Sequence, residues 1–355
     1  MMKKCKLASM QEFLFDKDNL SALVRSSSEV VQRARQKLAN QSVMESAASV
    51  SSLLGLLASS ADTSEAQDLR DGAFVLLEQV NLRRLPKDWL ADTYAHNVSQ
   101  LKFGGDPDGN IDALLNAGEI IVPSLATQDV LGVKVFNAWN TVAEQFQEED
   151  DGVKKRVQDL AIYSGVNSKT GEALTFEDAI KNMAGRRQLS ISRFWQELGY
   201  PDKSYFTHII SAQDSKPVPK HEDFYRHFQR VPDIDPREIL GLLRIPEVPP
   251  WLLFIEDLQA NVDNLPEMEE PTFGKALKRI RERIDLTRPA LAEKISFDKS
   301  ILVRYELGHR PPSPHLDFYE RLLKVDGVSP KDILTLLQYP NAPWYGFIKE
   351  LRCGL

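Results

Sequence analysis

Cysteine is nearly missing from this chain: Cys5 and Cys353 are the only two in 355 residues, and they stand at opposite ends. That excludes a disulfide framework and a cysteine-based zinc site, and a reduced, intracellular setting is expected. Long apolar runs are missing too. The longest patch, Leu53 to Ala58, is far below the roughly 18 residues a spanning helix needs, so no membrane partner is expected. The basic start at Lys3, Lys4 and Lys6 is interrupted by Gln11, Glu12, Asp16 and Asp18 before an apolar run can form, which argues against a signal peptide. A soluble, cytoplasmic protein is the expectation.

Catalytic and ligand-binding patterns are equally sparse. His96, His221, His227, His309 and His315 show no ligand-like pairing and have no cysteine partner, so no metal and no cofactor is expected. No nucleophile elbow, phosphate-binding glycine loop or paired-carboxylate arrangement occurs, and enzyme activity is not expected. Asp108 to Glu119 imitates a calcium loop. Its sixth position is Ala113, where the sharp turn needs glycine, and Pro123 arrives too early for a following helix, so calcium is not expected either.

What the chain does contain is a duplication. Phe273 to Leu351 repeats, with small gaps, Phe176 to Leu258. Asp223-Phe224-Tyr225-Arg226 matches Asp317-Phe318-Tyr319-Glu320, and Asp235-Pro236-Arg237-Glu238 matches Ser329-Pro330-Lys331-Asp332. Each copy closes on a proline-bounded tryptophan segment, Trp251 to Ile255 and Trp344 to Ile348. Copies of roughly 80 residues exceed a solenoid unit and read as tandem small domains. The domains expected are residues 1–170, 173–260 and 271–355, with the polar stretch Asn261 to Pro271 separating the copies.

Helical periodicity dominates throughout, which predicts an all-α fold. In the first region, Ser46 to Ala61 reads as a helix or a mobile segment and Asp68 to Leu85 as helical. Pro86 suits the first turn of a helix through Trp89, Leu90, Tyr94 and Val98. Ile120-Ile121-Val122 is the best strand candidate. Thr127 to Phe146 aligns Leu131, Val135, Trp139, Val142 and Phe146 on one face; that face suits either packing within its own domain or self-association, and a homo-oligomer is expected.

The net charge of −7 argues against indiscriminate nucleic-acid binding, yet Pro271 to Arg310 holds ten basic residues against five acidic ones. Local basicity sets the field a phosphate backbone meets. Within this window Phe273 to Ile284 forms a first predicted helix with Ala276, Leu277 and Ile280 inward. Thr287 caps a short helix from Arg288, and Asp298 caps another that runs to Leu307 and ends at Gly308 and Pro311. Two short helices joined by a tight turn make a helix-turn-helix.

Leu286-Thr287, Leu291 to Lys294, Asp298-Lys299-Ser300, Leu302, Tyr305-Glu306, Gly308 and Pro311 together resemble the lambda-repressor-like (Xre-type) helix-turn-helix family over Phe273 to Leu334. Ser296 replaces the usual turn glycine, and Arg288 stands where the family often has glutamine. The resemblance implies double-stranded DNA as partner and a transcriptional regulator of bacterial, phage or plasmid origin, associated with the nucleoid. It places Lys299, Ser300, Val303 and Arg304 toward base edges, with Arg288 and Arg310 beside them and Arg288 on phosphate. Glu306 is expected to be structural.

The first copy is a diverged version. Leu189-Ser190 opens its second helix, Phe194, Trp195 and Leu198 fill its core side, and Gly199 occupies the turn. Lys203, Ser204 and His208 fall where Lys299, Ser300 and Arg304 stand, so they are its candidate DNA contacts. Pro201, Ile210 and Ala212 depart from the second copy, and the alternative function is a protein–protein scaffold or antitoxin-like partner built from degenerate repeats.

Overall fold

The computed structural model describes residues 43–58, 70–101 without 71, 75 and 79, 110–125, 130–144, 151–200, 218–262, and 266–354 without 267. Among these residues every regular element is helical, with one isolated antiparallel bridge between Val166 and Ala173. The chain is all-α, as its periodicity predicts. It divides into two compact units, Met1–Ala173 and Leu174–Leu355.

In the first unit, α1 (Val43–Ala58), α2 (Lys87–Gln100), α3 (Asn110–Ser124), α4 (Val130–Glu144) and α5 (Asp151–Ser164) surround one apolar core. Pro86 takes the N-cap of α2, one residue ahead of the first turn. The Ile120 to Val122 strand expectation is wrong: these residues lie in α3, which includes Pro123. Leu114, Leu115, Ala117, Ile121 and Val122 recur at helical spacing and are all buried, so the face they form outweighs the local β-branched run.

Trp139 of α4 and Tyr94 of α2 both donate to α3, to the carbonyls of Leu115 at 2.7 Å and Leu114 at 2.8 Å. They cross α3 at Gly118, where an added Cβ would lie 1.9 Å from the Trp139 ring. Val135, Trp139 and Val142 are fully enclosed, so this face of α4 serves the unit's own core and gives no ground for self-association. Phe146 lies outside the described residues. The calcium-loop imitation is likewise spent internally, because Arg156 binds Asp112 at 2.6 Å and Glu119 at 2.8 Å.

The second unit contains both copies of the repeat. The first supplies α6 (Phe176–Arg186), α7 (Ile191–Glu197), α8 (Glu222–Arg226), α9 (Pro236–Leu242) and α10 (Trp251–Ala260). The second supplies α11 (Phe273–Arg283), α12 (Arg288–Lys294), α13 (Lys299–Glu306), α14 (Leu316–Leu323), α15 (Pro330–Leu337) and α16 (Tyr345–Cys353). Equivalent helices start on equivalent caps. Thr175 and Thr272 cap α6 and α11, Ser190 and Thr287 cap α7 and α12, and capping boxes open α9 at Asp235 and α15 at Ser329.

A second correspondence is ionic. At the end of the first helix of each copy, arginine reaches the acidic residue of the capping box: Arg283 meets Asp332 at 2.7 Å, and Arg187 meets Glu238 at 2.5 Å. Burial alone opposes charge on Asp332, but Arg283 and Ser329 outweigh it and hold the carboxyl below the ordinary aspartate range. The polar stretch between the copies does not hold them apart. Its Pro266 and Glu270 carbonyls accept from Gln338 at 3.1 Å and Tyr339 at 2.6 Å, while the tryptophan helices pack across the copies, α10 on α15 and α16 on α9.

Candidate nucleic-acid interface

The second copy builds its helix-turn-helix around one buried carboxylate. Glu306, the last residue of α13, accepts from Arg281 Nε of α11 at 2.6 Å and from Arg288 Nε of α12 at 2.6 Å. Arg281 also donates to the Leu286 carbonyl at 2.8 Å. A single side chain therefore ties α13 to both preceding helices. The Glu306 side chain is 0% exposed and Arg281 only 9%. Hydrogen bonding to Glu306 raises the Arg281 guanidinium above its ordinary value, so the arginine keeps its cation against the carboxylate.

Close approach of α11 to α13 completes the clamp. Gly274 faces the end of α13, where an added Cβ would stand 2.3 Å from the Tyr305 carbonyl oxygen and 2.7 Å from that of Glu306. Sequence reading missed this glycine because its requirement is tertiary: a helix-interior glycine carries no turn signal. Tyr305 is wedged among Phe273, Phe297 and Phe318 at ring separations of 6.1, 6.1 and 5.6 Å, and Leu302 is fully buried behind it. These contacts fix the rotation of α13 about its axis.

The turn uses serine where glycine is the easy choice. α12 ends with Phe297 N–H on the Ala292 carbonyl at 2.8 Å, and the intervening Ser296 takes the left-handed conformation at φ 49°. Arg321 of α14 compensates, donating to the Ser296 carbonyl at 3.0 Å. In the first copy the same position is Gly199, at φ 83°. Tyr200 N–H closes that turn on the Trp195 carbonyl at 3.0 Å.

With Leu302, Tyr305 and Glu306 inward, Lys299, Ser300 and Arg304 are exposed and Val303 is half-buried. The four expected base-facing residues thus share one outward face. Ser300 also serves the helix, since its hydroxyl donates to the N-cap Asp298 at 2.6 Å. That bond and two backbone N–H groups hold the Asp298 carboxyl below its ordinary range. Arg310 is exposed beyond Gly308, which turns the chain at φ 71°. Arg288 is 37% exposed, with its Nε on Glu306. Leu307, expected only as the end of this helix, joins its outward face: it is 54% exposed and continues the spacing of Ser300, Val303 and Arg304.

In the first copy, α7 buries Phe194 and Trp195 with Leu198, as expected. Lys203, Ser204 and His208 lie outside the described residues, as do Pro201, Ile210 and Ala212. Among the described residues no group of three His, Cys, Asp or Glu side chains could hold a metal ion, and no helix is long and apolar enough to cross a membrane.

No curated protein and no solved structure matches this chain. Residues 272–336 match a family model described as a helix-turn-helix domain, wholly within the second copy and covering α11 to α15 almost end to end. The region that carries the clamped α13 is a helix-turn-helix domain.

Proposed function

We propose that the protein binds double-stranded DNA sequence-specifically through its second copy and acts as a transcriptional regulator of bacterial, phage or plasmid origin. The observation that carries this reading is the face of α13. Lys299, Ser300, Val303 and Arg304 point outward together on a helix whose rotation is locked by Glu306, Gly274 and Tyr305. Lysine and arginine donate to guanine O6 and N7, and valine touches a thymine methyl. Leu307 extends the apolar part of that surface.

Arg288 stands at the first position of α12, where its cation suits phosphate. Its bond to Glu306 aims the guanidinium before DNA arrives, which lowers the ordering cost of a contact. Arg310 adds an exposed cation beyond the end of α13. The first copy enters this reading as the packing partner of the second; the helices exchanged between the copies favour that role. Selection of bound duplexes from a random library by the full chain is the test. Recovery of a shared short sequence supports the proposal, and recovery of unrelated sequences, or none, removes it.

A further inference from the structure

The contacts between the two copies are reciprocal. Trp251 of the first copy packs on Tyr319 of the second at 5.7 Å, and Trp344 of the second packs on Tyr225 of the first at 5.3 Å. The two tryptophans stack on each other at 6.3 Å with an interplanar angle of 18°. Trp251 and Trp344 are equivalent positions in the duplication, as are Tyr225 and Tyr319. Contacts in which one residue meets another and the equivalents meet in return are the signature of a two-fold dimer interface. Each tyrosine is also held the same way from its own copy, Tyr225 on the Pro219 carbonyl at 2.9 Å and Tyr319 on the Ser313 carbonyl at 3.1 Å.

The polar contacts across this interface are not reciprocal. Glu222 accepts from the Trp344 backbone N–H at 2.6 Å. The equivalent of Glu222 in the second copy is Leu316, which cannot accept. Arg226 pairs with Glu350 at 2.6 Å and lies 4.8 Å from the Phe347 ring centroid, while Arg352 pairs with Glu256 at 2.5 Å. The equivalent of Arg226 is Glu320, and that of Glu256 is Lys349. If a second copy paired with another second copy in this geometry, Glu320 would therefore face Glu350 and Lys349 would face Arg352. Both ion pairs would become like-charge contacts, which cost free energy where the observed pairs supply it.

We infer that the tandem copies form a heterodimer within one chain: the first copy is the built-in partner of the second, and its charges select this pairing over pairing of second copies. The partner for the apolar face of α16 is thus supplied in cis. The second copy has no need to recruit another chain through that face. This inference goes beyond the DNA-binding reading and does not depend on it.

The full chain with a protease site inserted between residues 262 and 268 tests it. After cleavage at micromolar concentration, native mass spectrometry and gel filtration are expected to find the two fragments together, one of each. Arg226→Glu should weaken that association about tenfold, and adding Glu350→Arg should restore most of it, since both groups lie at the solvent edge. Trp344→Ala should separate the fragments. Should that variant unfold instead, the charge-reversal pair still decides. Fragments that part from each other, second fragments that pair among themselves, or an Arg226→Glu variant that binds as tightly as the parent would overturn the inference.

Discussion

Glu306→Gln removes one charge from the centre of the helix-turn-helix and leaves Arg281 with its cation enclosed. The two arginines respond differently because their access to water differs. Arg288 is 37% exposed and can turn its guanidinium outward, whereas Arg281 is 9% exposed and cannot. Breaking a buried pair from one side costs about 3–5 kcal/mol, and the freedom of Arg288 places this case near the lower end, at about 3 kcal/mol. In urea, with a slope of about 2 kcal/mol per molar, the midpoint for the second unit should fall by about 1.5 M. The thermal midpoint should drop by about 6–12 °C.

Circular dichroism with urea on the full chain, read beside a probe confined to the second unit, checks this. Hydrogen exchange of the Leu302 and Tyr305 backbone amides supplies such a probe, since tryptophans occur in both units. A control sharpens the reasoning. Arg281→Met combined with Glu306→Leu exchanges the buried pair for apolar contacts of similar size, which is often neutral or stabilising, so the double variant should recover most of the loss. A cost below about 1 kcal/mol for Glu306→Gln would refute the clamp, because solvent would then be screening a pair that the geometry encloses.

Three further outcomes follow from the same contacts. Gly274→Ala drives a methyl into the Tyr305 and Glu306 carbonyls and should cost about 1–3 kcal/mol, measured by the same unfolding; an unchanged midpoint would mean that α11 and α13 do not approach so closely. Asp298 and Asp332 both titrate below the ordinary aspartate range, so their contribution is complete above about pH 4 and is lost as pH falls through their lowered values. Carbon-detected titration of the two carboxyls should show both midpoints depressed and Arg283→Met raising that of Asp332 alone; ordinary midpoints in the parent chain would contradict the assignment. Arg288→Ala should weaken binding to all duplexes alike and reduce the salt dependence by about one ion, and a selective loss on one sequence would show that Arg288 reads bases instead.

Much of the second copy is legible in its sequence because its signals are local. Thr287 and Asp298 cap the helices they were expected to cap, Gly308 ends α13, and Leu302 and Tyr305 face inward. Glu306 is structural, and its two arginine partners come from the preceding helices. The turn departs from the glycine pattern without losing its geometry because Arg321, distant in sequence, binds the carbonyl of Ser296. Local reading fails where the deciding partner is remote. Ile120 to Val122 resembles a strand until the helical face of α3 is counted with it. The spacing of Trp139 suits its own core or a partner's equally, and the Leu115 carbonyl and the space above Gly118 decide for its own core. The exchanged tryptophan helices leave no periodic trace, since an apolar face has the same pattern whichever copy covers it.

Affinity of the full chain for its selected duplex and for a scrambled one, at a single salt concentration, bears most directly on the proposal that α13 reads DNA. With Lys299→Ala and Arg304→Ala introduced singly and together, each substitution should cost about 1–3 kcal/mol on the selected duplex and markedly less on the scrambled one. The ratio between the two affinities should collapse in the double variant while the fold, monitored by the unfolding midpoint, stays intact. A ratio that survives both substitutions in a folded protein would contradict the account and move sequence recognition away from α13.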